Sequence, residues 1–82
     1  MYIEFELPKG QMGSAVLNAI KASITLWATR YGIPSQDYTQ KTIKYTHRLG
    51  FNQREHFSLF GMTYTDFDFR IKTVQNEKID NL

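Results

Sequence analysis

The stretch that decides the fold of this 82-residue chain is residues 14–32, SAVLNAIKASITLWATRYG. Apolar side chains recur along it at spacings of three and four residues, which predicts one face of an amphipathic helix: Leu17, Ile20, Ile24, Trp27 and Tyr31. Ser14 is the predicted N-cap, and Gly32 fits the position just after the last helical residue. Pro34 prevents the helix from continuing.

The opposite side of this helix is unusually poor in charge. At about 100° per residue, four small or apolar residues gather there: Ala15, Ala19, Ala22 and Leu26. Between Ala15 and Tyr31 the only charged residues are Lys21 and Arg30. Two interpretations stay open, because alanine is also the best helix former and needs no partner. Either this side contacts a partner protein or a second copy, or it is a plain exposed helix surface.

Three further segments have the alternation of half-buried strands. Residues 2–7 form the first, and residues 41–49 the second, with Ile43, Tyr45, His47 and Leu49 on its core side. Residues 66–74 form the third, with Phe67, Phe69 and Ile71 facing inward. Between the second and third strands, residues 53–62 fit a short helix capped by Asn52 with Glu55 as its N3 carboxylate, although a strand is also compatible with this segment.

This order of elements predicts an α+β fold, a two-layer sandwich in which one long helix packs on a small, mainly antiparallel or mixed sheet of three to four strands. In shorthand it reads β-α-β-(α or β)-β. If the first two strands are neighbours, the helix between them is a right-handed crossover and they run parallel. Residues 1–74 are predicted to form one domain and residues 75–82 a frayed C-terminal tail.

Composition excludes several classes of protein. Apolar residues make up 41% of the chain and aromatic residues 15%, which suffices for a compact core, whereas the lack of cysteine excludes a disulfide framework. The N-terminus alternates apolar with acidic residues, unlike a signal peptide. No apolar run approaches the ~20 residues of a membrane span. The predicted compartment is the cytoplasm.

The net charge of +2 is too small to indicate nucleic-acid binding by itself, but the cations are concentrated in the middle of the chain. Lys41, Lys44, Arg48 and Arg54 are interleaved there with aromatic residues, the combination that single-strand binders use for phosphates and base stacking. The alternation of residues 41–49, however, turns Tyr45 toward the core, which weakens the stacking interpretation.

No pattern indicates a catalytic, metal or cofactor site. The two histidines, His47 and His56, have no second catalytic group beside them and lack metal-ligand spacing, so a small nuclease is only a third interpretation. The loop of residues 8–13 precedes a helix, but its lysine comes before its glycines, unlike a phosphate-binding loop.

The first functional hypothesis is therefore a non-catalytic protein that acts by protein–protein contact, as an inhibitor, adaptor or accessory protein, with self-association included. Phage-encoded modulators of host machinery are one group of short, motif-free proteins that work by occlusion. The contact residues would be Ala15, Ala19, Ala22 and Leu26. The alternative is an RNA or single-stranded DNA binder that uses Lys41, Lys44, Arg48 and Arg54.

Overall fold

The computed structural model describes residues 2–72 and confirms the α+β class. Four strands and two helices follow in the order β1 (Tyr2–Glu6), α1 (Met12–Tyr31), β2 (Tyr38–Ile43), β3 (Thr46–Phe51), α2 (Arg54–Thr63) and β4 (Arg70–Lys72). A single 3₁₀ turn, Ser35–Asp37, leads into β2. The predicted frayed tail, residues 75–82, lies outside the described residues.

The strand order in the sheet is β2-β3-β1-β4, and every neighbouring pair is antiparallel. Each helix therefore connects two parallel strands that have a third strand between them, which is the split β-α-β arrangement. The first two strands run parallel but are not neighbours, because β3 lies between them. Both helices cover one face of the sheet, and no element of residues 2–72 covers the other, which we call the open face.

The long helix ends where the sequence predicts. Gly32 has a φ of 70°, the left-handed conformation that glycine adopts without steric cost, and the next residue, Ile33, donates its N–H to Ala28 O at 2.8 Å. The start of α1 was predicted three residues too late, since its N-cap position is occupied by Gln11 and not by Ser14. The preceding loop folds so tightly onto the first turn that a Cβ at Gly13 would lie 2.7 Å from Pro8 O.

The stretch 41–49 is not one strand, as predicted, but the two arms of a hairpin. A two-residue turn at Lys44 and Tyr45 separates β2 from β3, with Lys44 at a φ of 53°. The turn reverses which face odd-numbered residues occupy, so Ile43 lies on the open face while His47 and Leu49 face the helices. Ile43 and Tyr45 are consequently 38% and 49% exposed and do not belong to the core.

The hydrophobic core fills the space between the helices and the sheet. Its fully buried apolar side chains come from every layer: Ile3, Phe5, Ile20, Ile24, Leu49 and Phe60. Trp27 is 7% exposed, which confirms its predicted core position, and its indole Nε1 donates a hydrogen bond to Thr63 Oγ1 at 2.8 Å. Tyr31 and Ile71 were also predicted to be buried, but they are 39% and 54% exposed.

The segment after β3 is a helix, α2, as the sequence favoured, but the predicted cap is wrong. Gln53 occupies the cap position without a side-chain hydrogen bond. The Asn52 side chain instead donates to Gln36 O at 2.9 Å, tying the start of α2 to the 3₁₀ turn. The third predicted strand begins later than expected, since β4 starts only at Arg70 and the half-buried Phe67 and Phe69 precede it; the predicted end of this strand, residues 73 and 74, lies outside the described residues.

Candidate binding surfaces

The first predicted site, which we call the α1 outer face, consists of Ala15, Ala19, Ala22 and Leu26. All four side chains are exposed, and Leu26 is 70% exposed. The helix turns its other side to the core with Ile20, Ile24 and Trp27, so packing among residues 2–72 does not use the outer face. The structure therefore leaves this surface accessible to a partner.

A shallow groove of about 160 Å³ borders the outer face at Leu26. Its floor includes Trp27, and its far wall is the end of α2 with the residues that follow it. Ser23 Oγ and Tyr64 Oη, 2.6 Å apart, close the groove toward the core. Arg30 and Asp66 carry opposite charges among the lining residues. The groove beside Leu26 therefore has a mixed, mainly polar lining.

The second predicted site consists of Lys41, Lys44, Arg48 and Arg54, and the fold does not bring all four side chains together. Lys41 and Arg48 are cross-strand partners on the open face of the sheet, and Lys44 lies in the hairpin turn. Arg54 begins α2 just beyond the far end of β3, so the length of a six-residue strand, about 17 Å, separates it from the turn. Three of the four predicted cations thus share one side of the molecule, and Arg54 does not.

Arg48 is already engaged within the protein. Its Nε lies 2.9 Å from Glu4 Oε2, and its guanidinium lies over the Tyr2 ring at 4.8 Å from the ring centre. Arg70 likewise lies beside Glu6, at 3.3 Å. Lys41 and Lys44 form no ion pair among the described residues. These two lysines are therefore the predicted cations near the hairpin turn that remain accessible to phosphate.

The position of Tyr45 differs most from the one that the sequence predicts. It was assigned to the core face, but the turn projects it into solvent, and Lys9 lies over its ring at 5.6 Å from the ring centre. Its backbone oxygen accepts a hydrogen bond from Leu7 N at 2.7 Å, which fixes the turn to the end of β1. We call Lys9, Lys44 and Tyr45 the hairpin tip. The objection to base stacking that the alternation raised does not hold in the structure.

His47, one of the two histidines considered for catalysis, is 1% exposed, and both of its ring nitrogens form hydrogen bonds. Nε2 lies 2.7 Å from Gln40 Oε1 and Nδ1 lies 2.8 Å from the Thr42 hydroxyl. With the amide oxygen as acceptor, Nε2 carries the proton and Nδ1 accepts from Thr42. Burial, and to a smaller extent the charge of Lys21, hold the pKa of His47 below its usual value of 6.5. The ring serves to join β2 to β3.

We expect the stability of the protein to decline as the pH falls below about 6.5. The unfolded chain takes up a proton at His47 more readily than the folded protein does, so acid favours unfolding between the unfolded and folded pKa values and has no further effect at this group below both. Urea denaturation at a series of pH values measures the decline. His47→Gln should show a smaller decline; an equal one would assign the pH dependence to other groups.

Among residues 2–72, no group of three or more His, Cys, Asp or Glu side chains is placed to hold a metal ion. Within the same range, no helix has the length and apolar character needed to cross a membrane. Comparison of the chain with protein-family models, with curated proteins and with solved structures gives no match.

Sequence reasoning missed part of the cationic surface. Arg70 and Lys72 join it because β4 pairs with β1, and Lys9 joins it because its loop ends beside the hairpin turn. The alternation at residues 66–72 does indicate that Arg70 and Lys72 point away from the core. Only the strand order, however, shows that they share a face with Lys41.

Proposed function

We propose that this protein is a non-catalytic binding protein that acts through protein–protein contact, with the α1 outer face as its contact surface. The observation that carries the proposal is the 70% exposure of Leu26 within an uncharged surface on a 20-residue helix. A helix of that length extends about 30 Å, long enough to support a helix–helix contact. Adaptors and inhibitors that work by covering a surface need no more than such a face.

The α1 outer face can pair with the same face of a second copy, because its residues are symmetrically spaced along the helix. When two copies of α1 pack antiparallel about a two-fold axis that passes between Ile20 and Lys21, Leu26 of each copy lies opposite Ala15 of the other. Ala19 then lies opposite Ala22, so small residues meet at the centre and a large residue meets a small one at each end. Isologous pairing of this kind is the usual way in which dimers form. The first partner that we propose is therefore a second copy of the chain.

Charge favours the same arrangement. In the antiparallel pair, Arg30 lies opposite Gln11, which immediately precedes the other helix. Lys21 lies about 160° around the helix from Ala19 and about 140° from Leu26, off the contact surface. Like charges are thus kept apart, and helix axes lined by alanine can approach toward the short end of the usual 8–10 Å range. The cytoplasm remains the predicted compartment for this binding.

We expect the protein to have the mass of a dimer, and Ala19→Arg and Ala22→Glu each to reduce it to the 9.6 kDa monomer. Either substitution places a charge at the centre of the contact, where burial without a partner is strongly unfavourable. Multi-angle light scattering over a range of concentrations measures the mass. Circular dichroism should show an unchanged fold, because both positions are exposed in the single chain.

Thr25→Arg is the matched control. Thr25 is also exposed on α1, but it lies roughly 90° around the helix from the outer face. It should leave the dimer intact. A wild-type protein that remains monomeric at every concentration, or a dimer that both central variants leave unchanged, would contradict the pairing.

A further inference from the structure

The open face of the sheet is a second surface that no helix or strand of the described residues covers. The strand registers place on it residues from all four strands: Tyr2, Glu4, Glu6, Thr39, Lys41, Ile43, Thr46, Arg48, Gly50, Arg70 and Lys72. Because both helices lie on the opposite face, the proposed pairing through α1 leaves this surface free. The hairpin tip lies at one end of it, where β2 turns into β3.

Charge is divided unequally between this surface and the rest of the described residues. The open face and hairpin tip together carry six Lys or Arg residues and three carboxylates, counting Asp68, which lines a hollow with Glu4 and Glu6. The remainder of residues 2–72 carries three cations and three carboxylates. The net positive charge of the described part of the chain is therefore located on one side, the pattern that suits a polyanion.

Beside the hairpin tip there is a cleft of about 190 Å³. Leu7 and Leu17 give it an apolar lining, and Lys44 and Tyr45 line it on the hairpin side. A planar, uncharged base can stack against an exposed tyrosine while its phosphates approach the neighbouring ammonium groups. A surface built only to attract acidic proteins has no need of an exposed ring between two lysines.

We propose that the hairpin tip and the adjoining open face bind single-stranded nucleic acid. One base stacks on Tyr45 at the cleft, and the backbone contacts Lys9, Lys44 and Lys41. Arg48 and Arg70, held by Glu4 and Glu6, contribute less because their charges are already compensated. Binding of this kind depends on salt and tolerates many sequences, since the contacts are to phosphates and to the face of a base.

The proposal is tested with fluorescent oligonucleotides of about 12 nucleotides, one RNA and one DNA, titrated with the full chain at about 50 mM salt. We expect Tyr45→Ala to lower the affinity by about fivefold or more, and Tyr45→Phe, which keeps the ring, to retain most of it. The triple variant Lys9→Gln, Lys41→Gln and Lys44→Asn should reduce the slope of log affinity against log salt by about 2. Asparagine is chosen at position 44 because it tolerates the positive φ of the turn.

Arg54→Gln and Arg30→Gln are the controls, because each removes one cation far from the hairpin tip: Arg54 lies beyond the far end of β3, and Arg30 lies in the last turn of α1, whose first turns line the cleft. They should change binding little. Absence of wild-type binding at low salt, or an equal loss in the controls, would overturn the proposal. So would equal binding to poly-glutamate without any effect of Tyr45→Ala, which would indicate attraction to acidic chains in general.

Ala19→Arg tests whether nucleic-acid binding is independent of the dimer. It should abolish the dimer and leave the hairpin tip of each chain able to bind the oligonucleotide.

Discussion

Trp27→Ala should lower the free energy of unfolding by about 3–5 kcal/mol. The indole packs against Phe51 on β3 and Phe60 on α2, with ring centres 5.9 and 4.8 Å away, and its N–H bonds to Thr63. One side chain thus holds α1 to both the second helix and the sheet. Because a small domain has a total stability of only about 5–15 kcal/mol, this loss removes much of it. Urea denaturation followed by circular dichroism measures the change.

Trp27→Phe is the control for this prediction. It keeps an aromatic ring in the core but loses the hydrogen bond to Thr63, so the loss should be smaller, about 1–3 kcal/mol. A Trp27→Ala variant that unfolds within a few tenths of a kcal/mol of the wild type would mean that the indole does not hold the two helices together.

Phe60→Ala should have an effect of similar size, again about 3–5 kcal/mol. Phe60 is fully buried and lies at the centre of the ring cluster, where it stacks on Tyr64 at 4.3 Å and meets Phe5 edge-on at 6.4 Å. Removal of the ring leaves a cavity at the junction of α2, α1 and the sheet. Thermal or urea denaturation reports the loss.

Phe57→Ala provides a matched comparison on the same helix. Phe57 precedes Phe60 by one turn and is only partly buried, so its removal exposes less new surface and leaves no closed cavity. We expect it to cost less than half as much. Equal losses for the two phenylalanines would show that the core extends further along α2 than the structure places it.

Much of the fold could be predicted because the relevant signals are local. Gly32 and Pro34 mark the end of α1 by steric effects that depend on no other part of the chain. The apolar stripe of α1 and the alternation of β1 are equally local, and the structure buries Ile24 and Phe5 as these patterns require.

The hairpin was missed because its turn has no sequence signal. Two-residue turns are typically recognised by Asn-Gly or Asp-Gly, whereas here Lys44 adopts the positive φ. An alternating pattern continues without interruption through such a turn, although the side chains change faces. The errors at Ile43 and Tyr45 both follow from that one omission, as does the failure to predict that Lys41 and Arg48 share a face.

The two candidate sites also differ in whether the sequence alone could locate them. The α1 outer face could be located from sequence because helical geometry alone decides which residues share it. The hairpin tip could not, because it brings Lys9 beside Tyr45 from a different part of the chain. Contacts of that kind depend on the strand order, and no single segment of the sequence encodes the strand order.

The position of β1 between β3 and β4 has a consequence for how the chain acquires its structure. Of the described strands, β1 is synthesised first, yet it is an interior strand of the sheet, and its partners lie about 44 and 68 residues further along the chain. The β2–β3 hairpin, which closes over two residues, can form early, whereas β1 must wait for both neighbours. Until β4 is synthesised, β1 has one unpaired edge, and during that interval the new chain is exposed to wrong strand pairing at this edge.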